Sequence, residues 1–89
     1  MLNVKDAART AVEYFSQVFQ NGYQNLRLEE VELSEDERYW YITLGFDSPS
    51  QHQEGALSTA FTARPMREYK TIKIDAATGT VLSIKIREV

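Results

Sequence analysis

Cysteine is absent from this chain of 89 residues. That excludes disulfide staples, thiolate nucleophiles and cysteine-ligated zinc. Histidine occurs once, at His52, among Gln51, Gln53 and Glu54. A catalytic triad or an imidazole metal site needs partners fixed around the histidine by rigid elements, and this neighbourhood supplies none. The four glycines stand singly, so there is no glycine-rich loop to cradle a phosphate. No apolar run approaches the ~20 residues that cross a bilayer. The N-terminal stretch carries Asp6 and no long apolar segment, which is not the pattern of a signal peptide. An excess of basic charge is also missing. The net charge is −3, which argues against nucleic acid as the main partner. These absences point to a soluble, cytoplasmic domain with no membrane contact and no cofactor.

What the chain does have is enough apolar sequence for a core. Hydrophobic residues make up 43% and charged residues 26%, the balance of an ordinary globular domain rather than a disordered one. A single domain over residues 1–89 buries somewhat over ~60% of its unfolded surface, so one core is feasible without staples. The charge is unevenly spread. Residues 1–46 carry four Lys/Arg against eight Asp/Glu, and residues 47–89 carry six against five. The acidity concentrates at Glu29, Glu30, Glu32, Glu35, Asp36 and Glu37, a run that reads first as a solvated hairpin end, since clustered like charges repel and stay wet.

Asn3 to Phe19 reads as a helix. Val4, Ala8, Ala11, Val12, Phe15, Val18 and Phe19 recur at three- and four-residue spacing and form one stripe. Asn3 suits the N-cap, and Asp6 favours the positive end of the helix dipole. Alanines at 7, 8 and 11 let a sheet approach closely, and Asn21-Gly22 is a stop signal. Leu26 to Leu33 reads as a first strand. Leu26 and Leu28 share one phase and Val31 and Leu33 the other, which predicts a bulge near Glu29-Glu30. After a polar turn at 34–37, Arg38 to Phe46 is a second strand. Trp40, Ile42, Leu44 and Phe46 point one way, and Tyr39, Tyr41 and Thr43 the other. Residues 47–65 then break the pattern, and a connection of that length is commonly functional or mobile.

The chain closes with Glu68 to Arg87, two arms joined by Asp75-Ala76-Ala77-Thr78-Gly79. Apolar residues at Ile72 and Ile74, and at Leu82, Ile84 and Ile86, give each arm a greasy face. Asp bonds backbone N–H groups ahead of it, and Gly takes a positive φ freely. The expected fold is therefore α+β: one N-terminal helix packed on a four-stranded antiparallel sheet. The order helix, hairpin, long connection, hairpin, with Ile74-Asp75-Ala76-Ala77-Thr78-Gly79-Thr80-Val81-Leu82 at its end, resembles the PepSY family and its apolar-Asp-x-x-Thr-Gly-x-apolar-apolar turn. The resemblance covers about Val4 to Arg87, with 47–65 as an insertion. It implies a cystatin-like fold and a non-catalytic module that binds or restrains another protein. The Gln-x-Val-x-Gly loop by which cystatins block cysteine peptidases does not occur here.

The surface this pattern singles out is the sheet face opposite the helix. If Trp40, Ile42, Leu44, Ile72, Ile74, Leu82, Ile84 and Ile86 pack on the helix, the alternate positions look outward. Tyr39, Tyr41, Tyr69, Lys73, Lys85 and Arg87 then make an amphipathic, hydrogen-bonding surface, with Thr43, Thr71 and Ser83 between them. Tyr and Arg are enriched at interface hot spots. The expected function is a non-catalytic interaction or regulatory module that binds another protein, or a second copy of itself, through this face or the long loop. The alternative is an immunity- or antitoxin-type inhibitor whose acidic hairpin, 29–37, blocks a basic cleft. An enzyme is the least supported class, because the inward positions hold no acid or base.

Overall fold

A computed structural model describes residues 1–20, 22–48 and 66–87. His52 and nearly all of the 47–65 connection lie outside the described residues. The element order is α1 (Val4–Val18), β1 (Gln24–Leu33), β2 (Tyr39–Ser48), β3 (Met66–Asp75) and β4 (Val81–Ile86). The strands form one antiparallel sheet in the order β1-β2-β3-β4, so each pairs with its neighbour in sequence. This is the α+β arrangement expected from the alternation.

The Asn3 side chain caps α1 by accepting from the Asp6 N–H at 2.8 Å. Ala7, Ala11 and Phe15 form its fully buried line, since residues four apart stack on one face. Val4 and Val18, expected in the stripe, are instead about half exposed. The buried arc is centred on 7, 11 and 15, and these two valines sit at its ends and margin. The helix also stops before Asn21-Gly22. Phe19 closes it by donating its N–H to the Phe15 C=O at 2.8 Å.

The helix lies over β1, β2 and β3. Beneath it are Trp40, Ile42, Leu44 and Phe46 of β2 and Ile72 and Ile74 of β3, all buried. Phe15 sits at the wide end, with ring centroids 4.7 Å from Phe19 and 4.9 Å from both Tyr23 and Phe46. At the other end the Trp40 Nε1–H donates to the Leu2 C=O at 3.1 Å. The Leu2 N–H donates to the Ala76 C=O at 2.8 Å, which ties the N-terminal segment to the closing turn.

Three irregularities set which side chains share a face. The ladder between β1 and β2 slips between Leu28 and Glu30, where the change of apolar phase predicted a bulge, and slips again between Gln24 and Arg27. Asn25 there has φ 56. The third slip, between β3 and β4, was not foreseen. Ile72 faces Ile84, but Ile74 faces Val81. Val81 therefore takes the inward place assigned to Leu82, and Leu82 is 48% exposed. Ile86 lies opposite Lys70, away from the helix's cover, and is 74% exposed. The expectation that Leu82 and Ile86 pack on the helix is thus corrected, and that for Ile84, half-buried against the core, stands. The turn at Asp75 forms as read. Gly79 has φ 79 and donates its N–H to the Asp75 C=O at 2.8 Å.

Candidate functional site

The outer face of the sheet is built row by row from residues that stand opposite one another on the strands. Tyr39 pairs with Asp75, Tyr41 with Lys73, Thr43 with Thr71, Gly45 with Tyr69, and Asp47 with Arg67. On the flanks, β1 sets Glu32 beside Tyr41 and Glu30 beside Thr43. β4 sets Ser83 beside Lys73 and Lys85 beside Thr71. All six residues singled out in the sequence lie on this face. Tyr39, Tyr41, Tyr69 and Lys73 are partly buried, and Lys85 and Arg87 are exposed.

Their charges are largely engaged within the face. The Lys73 ammonium sits 4.2 Å from the Tyr39 ring centroid and 6.0 Å from that of Tyr41. Contacts of this kind contribute ~0.5–1 kcal/mol when exposed. The Arg87 guanidinium reaches from the β4 flank to the β1 flank. Its Nη1 donates to Glu30 Oε1 at 2.6 Å and to Thr43 Oγ1 at 3.2 Å. Thr43, assigned to the outer face, is there but buried, with its hydroxyl 3.0 Å from that of Thr71. Tyr41, Thr43, Thr71, Arg87, Glu30 and Glu32 line a shallow groove of about 310 Å³.

A second network was not anticipated. Arg67 Nη1 donates to the Asn25 C=O at 2.9 Å and to Asp47 Oδ1 at 3.1 Å, while Nη2 donates to Glu29 Oε2 at 3.0 Å. Asn25 Nδ2 donates to Asp47 Oδ2 at 2.6 Å. Arg67 thus links three strands. Glu29 reaches it across Gly45, where a Cβ would stand 2.5 Å from Glu29 Oε2 and 2.9 Å from Tyr69 Cε1. The missing side chain of Gly45 is what lets the carboxylate cross. Extending the Tyr69 alternation back by two residues places Arg67 on this face, and extending the Tyr41 alternation forward places Asp47 there.

The acidic run is therefore not wholly a solvated hairpin end. Glu29 and Glu30 are tied to Arg67 and Arg87. The hydrogen bond and charge of Arg87 hold the Glu30 carboxyl below its ordinary pKa. The Asn25 amide, then Arg67, do the same for Asp47. The Ser34 hydroxyl and the Arg38 N–H lower Asp36, and the N–H groups of Thr78 and Ala77 lower Asp75. Each of these groups ionises more readily in the folded chain than in the unfolded one. The unfolded chain binds more protons in acid, so stability falls as pH drops. The contribution is complete above the ordinary carboxylate range of about 3.9–4.3 and is lost as pH falls through the folded values. Asp75→Asn is expected to shallow this loss, measured as urea midpoints at steps between about pH 7 and pH 2.

Among the described residues, no group of three or more His, Cys, Asp or Glu side chains is placed to hold a metal ion. No helix among them is long and apolar enough to cross a membrane. What the site offers is a face of aromatic rings and hydroxyls, with charges held in place by cross-strand pairs. Comparison of the chain with protein-family models, with curated proteins and with solved structures gives no match.

Proposed function

We propose that this chain is a non-catalytic, cytoplasmic interaction module of PepSY type, which binds another protein through the outer face of its sheet. The observation that carries the reading is the pre-ordering of that face. Tyr39 and Tyr41 are held by Lys73, and Arg87 is held by Glu30 and Thr43. Rings and guanidinium groups fixed before binding lose little side-chain entropy on contact. The closing Asp75–Gly79 turn, with its Asp75 carboxylate on the N–H groups of Ala77 and Thr78, supports the family resemblance. The alternative, an acidic inhibitor of a basic cleft, is the weaker reading. Glu29 and Glu30, two of its six carboxylates, are already neutralised by arginines of the same chain.

The test is capture of partners from the native cell, with the wild-type chain and the Tyr41→Ala/Tyr69→Ala variant as paired baits. Proteins enriched by the wild type are expected to disappear with the variant, while Arg9→Ala on α1 keeps them and both variants melt cooperatively. Capture that survives loss of both tyrosines removes the sheet face from consideration. Capture that instead weakens steeply with salt and depends on Glu32, Glu35 and Glu37 favours the acidic inhibitor.

A further inference from the structure

We propose that the outer edge of β4 is a self-association surface, on which a second copy of this chain adds its own β4 antiparallel to the first. The site is separate from the tyrosine face and does not depend on it.

The argument starts from the backbone. The Arg87 N–H donates to the Tyr69 C=O at 2.9 Å, and Lys70, Thr71, Ile72 and Lys73 face Ile86, Lys85, Ile84 and Ser83 in turn. Antiparallel ladders alternate bonded and non-bonded pairs. Arg87, Lys85 and Ser83 are therefore the residues that exchange bonds with β3. Ile84 and Ile86 direct their N–H and C=O groups the other way. β4 ends the sheet, and among the described residues no strand pairs with that side. The apolar side chains are there too: Leu82 and Ile86 are 48% and 74% exposed. Apolar residues beside free backbone groups on an edge strand form a template for another strand.

Charge selects the occupant and its register. Three two-fold arrangements use the free groups of Ile84 and Ile86. Centred on Lys85, the pairing sets Lys85 against Lys85 of the second copy. Centred on Ile86, it sets Lys85 against Arg87. Like charges directly opposite destabilise both. Centred on Ile84, it sets Lys85 opposite Ser83 and Leu82 opposite Ile86. The register that charge permits also sets the exposed Leu82 of each copy against the exposed Ile86 of the other. Such a contact is isologous and closes at two copies rather than growing into a fibre. A strand of six residues gives a seam only ~20 Å long. Its area falls short of the ~1,200 Å² at the low end of stable interfaces, so the dimer is weak, with a dissociation constant on the order of 0.1 mM.

Sedimentation equilibrium of the full chain from about 10 μM to 1 mM, the span that brackets that constant, is expected to show monomer and dimer and no larger species. Ile86→Glu places a carboxylate opposite Lys70 within the fold but opposite Leu82 in the dimer. It is expected to weaken association about tenfold or more, with the circular dichroism spectrum unchanged. Because the chain has no cysteine, single cysteines report the geometry cleanly. In the Ile84-centred register the two copies of residue 84 form a bonded pair with Cα atoms ~5.5 Å apart, inside the ~4.4–6.8 Å range of disulfides. Ile84→Cys is expected to link under oxygen with a copper catalyst, and Tyr41→Cys to stay unlinked. A chain monomeric at every concentration, a dimer untouched by Ile86→Glu, or linkage at residue 41 and not 84 overturns the proposal. The last outcome would move self-association to the tyrosine face.

Discussion

Phe15→Ala is expected to lower stability by ~3–5 kcal/mol, the range for emptying a large aromatic site in a packed core. Phe15 is fully buried, and its ring touches those of Phe19, Tyr23 and Phe46 within 5 Å of its centroid. A chain of this size has ~4–13 kcal/mol in total at ~0.05–0.15 kcal/mol per residue. The substitution therefore removes roughly a quarter of it or more. In thermal unfolding each kcal/mol corresponds to ~4–8 °C in a domain of this class, so the melting temperature falls by ~12 °C at the least. Val18→Ala, on a half-exposed side chain of the same helix, is expected to cost no more than about 1 kcal/mol. Equal losses at the two positions would mean that the helix does not pack as described.

Gly45→Val is expected to separate folding from binding. A side chain here meets Glu29 and Tyr69 on the outer face, while Leu44 and Phe46 on either side keep their places in the core. Glu29 is the end of a flexible side chain and swings away, which breaks its bond to Arg67. The Tyr69 ring is stiffer and must shift bodily. Overpacking of this kind costs ~1–3 kcal/mol, offset in part because glycine is itself a weak strand former. The fold therefore survives with a modest fall in melting temperature, and partner capture is lost. Capture at wild-type strength by Gly45→Val would show that neither Tyr69 nor the Glu29–Arg67 bridge belongs to the contact.

Local pattern was enough for several parts of this architecture. Strict alternation from Tyr39 to Phe46 identified both faces of β2, because a strand has a period of two and one face is buried. The change of phase between Leu28 and Val31 located the first bulge. The Asp75 turn was legible from residue chemistry alone. The slip in β4 was not, since Val81 and Leu82 are adjacent apolar residues and either can be read as the inward one. The ion pairs were also hidden. Arg67 and Glu29 are 38 residues apart, and Arg87 and Glu30 are 57 apart. Partners that distant meet only through strand order and register, so the acids of β1 read as a solvated run. The tyrosine face was visible as a set of positions. Its rigidity, which comes from Lys73 lying on the rings and Arg87 spanning the sheet, was not.

The central claim is that partners meet the sheet face and not the helix. Tyrosine nitration of the free chain and of its captured complex, read by mass spectrometry, tests it most directly. In the complex, Tyr41 and Tyr69 are expected to lose reactivity while Tyr14, on α1, keeps its own. Protection of Tyr14 with Tyr41 and Tyr69 unchanged would place the partner on the opposite side and contradict the account.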